Sequence, residues 1–273
     1  QRHARTNPDA SSQAVVRWSR HAMSPTSWKY MTEQLVTLEV GESSAVIRLN
    51  RPVRHNALVP ELLEDLLGAI NDERSQQART VILAAEGQSF STGGDLLGFW
   101  QHRDDIAKYA QHLVGLLNQV IIAISTHPSP IACAVQGQVT GGSLGLLLAA
   151  DHVVMNRDVT ITPWYAEVGF SPDGGWNAML PHVIGQERAR NWIRNNETLV
   201  AETCLALGVA HELVATDTLA AAQAWSEQNT YTRTPTSADT ARLGQDLEAE
   251  RVAFVEQIQT PEAIAGIEKF LGI

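Results

Sequence analysis

Compact apolar runs and amphipathic stretches alternate along most of this chain. Five short apolar runs predict strands at residues 35–40, 45–49, 81–85, 131–135 and 152–155. Apolar residues at helical spacing predict helices that follow Pro60, that run from Ile106 to Val120, and that cover residues 144–150. Strands that alternate with helices indicate an α/β fold with largely parallel strand pairing.

The end of the chain differs from the part before it. Residues 219–225, 238–258 and 261–271 are predicted to be helical, with no strand between them. Such a block can pack against a partner subunit or on its own core, and the sequence leaves both open. We therefore divide the chain into an N-terminal arm (1–32), an α/β core (33–215) and a helical C-terminal region (216–273). The Pro- and Ser-containing arm is either mobile or an uncertain translation start.

Composition narrows the functional class. The chain has 273 residues, of which 44% are hydrophobic, enough for a sizeable core. Its 30 acidic and 20 basic residues give a net charge of -10, which disfavours nucleic acid and anionic membrane as partners. No apolar run is long enough to span a membrane. Cys133 and Cys204 lie in apolar runs and are expected to be buried free thiols in a reducing cytoplasm. No His or Cys spacing predicts a metal site.

Two glycine-bearing turns carry most of the chemical information. Residues 89–95 and 138–143 each follow a predicted strand and precede a predicted helix. Such a turn leaves backbone N–H groups unpaired, and glycine lets a ligand approach them closely. Two turns of this kind can direct two N–H groups at one oxygen. The alternatives are an ordinary turn capped by Asp95 and, at the second turn, small residues that allow tight packing. Neither turn fits a nucleotide-binding loop.

Four segments together carry a family resemblance. They are the two glycine turns, residues 49–58 (Leu-Asn-Arg-Pro-Val-Arg-His-Asn-Ala-Leu) and residues 167–175 (Glu-Val-Gly-Phe-Ser-Pro-Asp-Gly-Gly). In this order and spacing they resemble the crotonase (enoyl-CoA hydratase/isomerase) family. The resemblance covers roughly residues 33–215, with a weaker similarity in 261–271. It implies a crotonase-like spiral of ββα units, a C-terminal helical oligomerisation region, and a homotrimer or homohexamer.

The resemblance also implies a substrate and a set of site residues. An acyl-CoA thioester would place its carbonyl oxygen on the N–H groups of Gly94 and Gly142, where enolate charge develops. Coenzyme A would arrive as part of the substrate, with no permanently bound cofactor. The positions that match substrate or CoA contacts are Arg54, Ala57, Thr92, Asp95, Leu96, Gly141, Trp164 and Tyr165. For Arg54 a phosphate contact and a solvated surface charge remain open, and Tyr165 either bonds the acyl group or lines the pocket.

The acidic residues decide which reaction the resemblance implies. Hydratases of the family use two glutamates, and the matching positions here are Gly145 and Tyr165, which disfavours hydration. Asp173 matches the carboxylate of several enoyl-CoA isomerases, where one base moves a proton from C2 to C4. We therefore expect an isomerase with Asp173 as its acid/base. The alternatives are a helix cap, the nucleophile or base of a dehalogenase or hydrolase, and a non-catalytic CoA-binding protein.

Overall fold

The computed structural model describes residues 34–229, 233 and 236–273. Its strands are β1 (Val36–Val40), β2 (Ser44–Leu49), β3 (Thr80–Ala85), β4 (Ile131–Val135), β5 (Gln138–Thr140), β6 (His152–Asn156), β7 (Thr160–Thr162), β8 (Leu199–Val200) and β9 (Glu212–Val214). Its helices are α1 (Pro60–Asn71), α2 (Glu73–Gln77), α3 (Leu96–Gln101), α4 (Ile106–Thr126), α5 (Leu144–Leu148), α6 (Tyr165–Val168), α7 (Leu180–Ile184), α8 (Gln186–Asn195), α9 (Ala201–Leu207), α10 (Thr218–Gln228), α11 (Ser237–Gln257) and α12 (Pro261–Leu271). The N-terminal arm, residues 1–32, lies outside the described residues.

The strands form two sheets. The larger has the order β1-β2-β3-β4-β6-β9, with β1 antiparallel to β2 and the other neighbours parallel. The smaller has the order β5-β7-β8, in which β5 and β7 are parallel. All five predicted strands are present, and the α/β class is confirmed. The smaller sheet was not predicted, because strands of two or three residues leave no periodic pattern.

Helices cover both faces of the larger sheet. On one face α1 and α4 pack over the strands and bury the main core, in which Leu62, Leu66 and Leu117 are nearly inaccessible. On the other face α10 packs against β3, β4 and β6. A strand covered on both faces is apolar throughout, which explains why all of β4 is buried.

The three predicted C-terminal helices are present as α10, α11 and α12. α11 packs along α4, where the Asn118 side chain donates to the Leu247 carbonyl oxygen at 3.0 Å, and α12 packs against α3 and α6. These helices therefore pack on the chain's own core, within one compact unit that spans Gln34–Ile273. Their predicted part in oligomer formation stays a prediction.

Two smaller expectations concern the cysteines and the membrane. Cys133 and Cys204 are free and buried, as predicted. In the described part of the chain, no helix combines the length and the apolar character that crossing a bilayer requires.

Candidate active site

The two glycine turns lie side by side. The Ser91 N–H donates to the Gln138 carbonyl oxygen at 3.2 Å, and the Thr140 N–H donates to the Ser91 carbonyl oxygen at 3.1 Å. The Ser143 hydroxyl also lies within 3.0 Å of that Ser91 oxygen. The first turn follows β3, and the second follows β4 and begins with β5. These bonds hold the two turns next to each other.

Glycine is required where the turns meet. Gly93 and Gly141 both have left-handed φ angles, of 70° and 53°. A Cβ on Gly93 would lie 2.7 Å from the Thr140 carbonyl oxygen and 3.4 Å from the Gly141 Cα. Neither the Gly94 N–H nor the Gly142 N–H donates a hydrogen bond to an acceptor within the described residues. Both N–H groups thus remain available to an oxygen of a bound molecule.

Residues 49–58, here called the entry segment, run along the first glycine turn. The Leu58 N–H donates to the Gly93 carbonyl oxygen at 2.7 Å, and the Asp95 N–H donates to the Leu58 carbonyl oxygen at 3.0 Å. The Thr92 N–H donates to the His55 carbonyl oxygen at 3.1 Å. These bonds bring together the positions that the sequence assigned to CoA, namely Arg54, Ala57, Thr92, Asp95 and Leu96.

Asp95 links that segment to α3. Its buried carboxylate accepts from Arg54 at 2.9 Å and from Arg51 at 2.8 Å, and it caps α3 by accepting the Leu97 N–H at 3.1 Å. Burial raises the pKa of Asp95, but the charges and hydrogen bonds of the two arginines outweigh burial and hold this pKa below its ordinary value. The helix cap that was the alternative for Asp95 is therefore present, and Arg54 is an ion-pair partner of Asp95. Both guanidinium groups thus lie next to the first glycine turn.

Asp173 lies against the second glycine turn. A Cβ on Gly142 would be 3.0 and 3.2 Å from the two carboxylate oxygens of Asp173. The Tyr165 hydroxyl donates to Asp173 Oδ1 at 2.6 Å, and both side chains are buried. The structure thus brings together four of the predicted site residues, namely Gly141, Gly142, Tyr165 and Asp173.

Burial changes the protonation chemistry of this pair. It raises the pKa of Asp173 to about 6, although the Tyr165 hydrogen bond opposes the rise. Burial, together with the Asp173 charge, raises the pKa of Tyr165 well above its ordinary value. At neutral pH the pair is a phenol and a carboxylate. That carboxylate is a stronger base than an ordinary aspartate, which suits proton transfer near neutral pH.

Asp173 does not cap the turn that follows it. The Glu250 carboxylate of α11 accepts the N–H groups of Gly175, Asn177 and Ala178, at 2.7, 2.5 and 3.0 Å. The capping alternative for Asp173 was therefore wrong. Sequence reasoning also missed Glu250, because a glutamate in a charged helix is usually solvent-exposed and nothing in the local pattern marked this one.

The two hydratase positions hold no carboxylate. Gly145 packs against the Gly174 carbonyl oxygen and Ile121, and a Cβ at residue 145 would overlap both. Tyr165 occupies the other position and bonds to Asp173. The first position therefore lacks room for any side chain, and the second holds a phenol.

Trp164 lies apart from this cluster. Its side chain is 41% exposed, and its ring meets that of Phe270 edge-on with centroids 6.2 Å apart. Its backbone is left-handed, with φ of 65°, and its N–H donates to the Asn196 side chain at 2.8 Å. The structure thus places Trp164 at the surface beside α12, and its assignment to the substrate pocket stays a prediction.

Two adjoining glycine turns with unpaired amides and a buried carboxylate beside them define a crotonase-type site on an α/β fold. The family model for enoyl-CoA hydratase/isomerase matches residues 39–270, and the chain belongs to this family. The crystal structure of an enoyl-CoA hydratase from Bacillus halodurans superposes with a TM-score of 0.76 and 24% identity, over 86% of this chain and 99% of that one. That likeness confirms the fold.

Curated relatives carry several activities in their names. The chain is 29% identical to 4-chlorobenzoyl coenzyme A dehalogenase-2 of an Arthrobacter species, over 65% of each protein's length. It is 30% identical to a probable enoyl-CoA hydratase of Mycobacterium bovis, over 71% of this chain and 75% of the relative. It is 27% identical to a trans-2-decenoyl-[acyl-carrier-protein] isomerase of Streptococcus mutans, over 65% of this chain and 68% of the relative. The family therefore does not decide the reaction.

Proposed function

We propose that this protein is an acyl-CoA-processing enzyme, specifically a 3-enoyl-CoA to 2-enoyl-CoA isomerase with Asp173 as its single acid/base. The observation that carries the proposal is that a single basic carboxylate, that of Asp173, packs against the second of the two glycine turns. Asp173 packs on Gly142, and its pKa is raised to about 6 by burial. A shift of the double bond needs one group that removes and returns a proton, and here one group is present.

The proposed reaction follows from this arrangement. The thioester carbonyl oxygen would accept hydrogen bonds from Gly94 and Gly142 N–H. Asp173 would take a proton from C2, the electrons would delocalise as a dienolate, and the same proton would return at C4. Fixed donors stabilise the oxyanion more than the neutral carbonyl, and one such donor is typically worth about 3 kcal/mol of barrier.

Hydration has less support from the site. Addition of water across a double bond needs a group that activates water and a route that delivers a proton to the α-carbon. Gly145 and Tyr165 stand where the family's hydratases hold glutamates, and position 145 has no room for a side chain. Relatives named hydratase therefore do not fix the reaction of this chain.

The entry segment supports CoA as the carrier of the acyl group. Arg51 and Arg54 surround the buried Asp95, next to the first glycine turn. Guanidinium groups match phosphate oxygens well, which suits contact with a phosphate of CoA. CoA would enter and leave with the substrate.

Dehalogenation is the second candidate, and a specific observation favours it. Two of the curated relatives are named 4-chlorobenzoyl coenzyme A dehalogenases. In this reaction the Asp173 carboxylate would attack the ring carbon and displace chloride, forming an aryl ester. Water would then hydrolyse that ester, releasing the hydroxybenzoyl thioester and restoring Asp173. The same residue would thus serve as nucleophile instead of base.

Parallel assays separate these reactions. The wild-type protein and Asp173→Asn would be given a 3-enoyl-CoA, followed by the ultraviolet absorbance of the conjugated product, and 4-chlorobenzoyl-CoA, followed by chloride release. We expect isomerisation that depends on Asp173. Chloride release with an aryl ester trapped on Asp173 would favour the second candidate. Free CoA release would indicate a hydrolase, and binding of CoA with no turnover would indicate a non-catalytic member.

We further propose that the protein assembles as a homotrimer or homohexamer. The support is the resemblance itself, together with the three C-terminal helices α10, α11 and α12. Light scattering of the purified full chain would give the mass. A monomer at working concentration would contradict this assembly.

A further inference from the structure

Glu250 is a buried carboxylate with three backbone partners. It lies on α11, and 5% of its surface is exposed. Oε2 accepts the Gly175 N–H at 2.7 Å, and Oε1 accepts those of Asn177 and Ala178 at 2.5 and 3.0 Å. None of the described lysines or arginines forms an ion pair with it. Burial of a carboxylate costs free energy unless its oxygens are hydrogen-bonded. The three N–H groups of the turn offset that cost for Glu250.

The three N–H groups open the turn that leads into α7. None of them donates to a backbone acceptor in the described residues. The N–H groups of Met179 and Leu180 donate to the Gly175 carbonyl oxygen at 2.8 and 2.9 Å, which closes the turn from its other end. Unpaired N–H groups at the start of such a turn favour an anionic acceptor. Glu250 supplies that acceptor from a helix far away in sequence.

The opposite side of the same turn rests on the second glycine turn. A Cβ on Gly174 would overlap the Gly142 backbone, so the two main chains are in direct contact. Asp173 precedes Gly174 and lies beside Gly142. The turn that follows Asp173 therefore lies between α11 and the second glycine turn and contacts both.

α11 is itself firmly placed. Leu247 and Phe254 are buried on either side of Glu250, and the Leu247 carbonyl oxygen accepts from the Asn118 side chain on α4. The Phe254 ring lies 5.9 Å from that of Phe99, which in turn packs close to Gly94. The helix is thus fixed against the same core that carries the first glycine turn.

We propose that Glu250 is a positioning residue, which fixes the turn bearing Asp173 so that its carboxylate stays beside Gly142. This inference rests on the proposed function for its catalytic consequence. It makes the C-terminal helix α11 a part of the active site.

Electrostatics agree with this geometry. Burial raises the pKa of Glu250 to about 7, the three backbone hydrogen bonds oppose that rise, and the Asp173 charge adds to it. The two carboxylates therefore interact through the turn that lies between them.

Amide hydrogen exchange tests the contact without any assay of activity. In the wild-type full chain, we expect slow exchange at Gly175, Asn177 and Ala178, because each donates to Glu250. Glu250→Gln keeps the shape of the side chain but turns one acceptor into a donor, and it should speed exchange there at least tenfold. Glu256→Gln is the matched control, an exposed glutamate on the same helix. Fast exchange in the wild-type protein would overturn the proposal even if Glu250→Gln did not fold.

Kinetics test the catalytic consequence. With a 3-enoyl-CoA, we expect Glu250→Gln to lower kcat ten- to hundredfold, with KM changed less than threefold and Glu256→Gln at the wild-type level. A general loss of folded protein would instead lower the active fraction, which titration of binding sites reveals. Unchanged kcat together with faster exchange would overturn the positioning role. An inactive wild-type protein whose three amides are protected by Glu250 would refute the isomerase assignment and leave the structural contact intact.

Discussion

The hydroxyl of Tyr165 donates to Oδ1 of Asp173 at 2.6 Å and lies 3.0 Å from the main-chain oxygen of the same residue. The two residues are eight positions apart in the chain. A phenol that is never ionised at neutral pH therefore fixes the rotamer of the carboxylate and stabilises its charged form. By the family resemblance, Tyr165 stands at one of the two positions that hold glutamate in hydratases.

The pH dependence of activity should change in Tyr165→Phe. The lost hydrogen bond favoured the charged carboxylate, so its removal raises the pKa of Asp173 above about 6. A base must be deprotonated to act, so the acidic limb of kcat/KM should move to higher pH by roughly one unit, since such a bond to a charged group is worth about 1.5 kcal/mol or more. The pH profile measures this. Tyr109→Phe serves as the control, and a Tyr165→Phe profile equal to the wild type would contradict the role.

Asp173→Asn should lose activity and gain stability at neutral pH. The pKa of Asp173 in the folded protein, about 6, exceeds the ordinary 3.8. The contribution of the protonated Asp173 carboxyl to the free energy of unfolding is therefore fully present below pH 4 and is lost as pH rises through 6. This raised pKa corresponds to a loss of about 3 kcal/mol in the free energy of unfolding when Asp173 is ionised. The asparagine side chain is neutral and does not suffer this loss. The gain in free energy of unfolding over the wild type should therefore grow between pH 4 and pH 7.

Denaturant titrations at several pH values measure that gain. Asp104→Asn, an exposed aspartate before α4, is the control and should give a small difference at every pH. A constant difference for Asp173→Asn would mean that the Asp173 carboxyl is not buried in solution. Isomerase activity should fall by roughly a thousandfold, within the 10² to 10⁴ range for a positioned acid or base.

A side chain at residue 145 should disturb the turn that bears Asp173. In Gly145→Ala the new Cβ overlaps the Gly174 carbonyl oxygen, and overpacking of this kind costs about 1–3 kcal/mol. We expect reduced thermal stability and at least a tenfold lower kcat. Gly68→Ala, in the open and exposed middle of α1, is the control and should be neutral or stabilising by up to about 1 kcal/mol. Gain of hydratase activity in a stable Gly145→Glu protein would show that the position has room after all.

Arg54→Ala should weaken CoA binding selectively. Loss of one partly exposed phosphate contact should raise KM for a CoA thioester about tenfold, or about 1.4 kcal/mol, with kcat nearly unchanged. A pantetheine thioester, which lacks the nucleotide, should show no difference between the two proteins. Arg157→Ala is the control, because Arg157 is exposed and paired with Glu202 at 3.1 Å. An equal rise in KM with both thioesters would mean that Arg54→Ala acts by disturbing the fold, and would contradict a contact with the nucleotide part of CoA.

Sequence patterns predicted those features whose causes are local. The strand at Thr80–Ala85 contains the unbroken apolar run 81–85, and the glycine pairs at 93–94 and 141–142 mark turns by their backbone freedom. The catalytic role of Asp173 was predicted only from the order of the four segments that carry the family resemblance. The residues around Asp173 are also typical of the start of a helix. The structure then excluded that capping role.

The missed features depend on distant partners. Glu250 looks like any charged residue of α11, and its three acceptor bonds lie more than seventy residues away in the chain. Arg51 likewise finds Asp95 only after the entry segment has folded along the first glycine turn. Neither contact follows from periodicity or composition, because both are set by tertiary packing.

Dependence of the Asp173 turn on α11 has a consequence for the order of synthesis. A growing chain that has left the ribosome as far as Ala210 already contains both glycine turns and the carboxylate. It still lacks Glu250, which clamps the turn from outside. Until α11 has been synthesised, a nascent chain would therefore hold both glycine turns and Asp173 without the contact that fixes this turn.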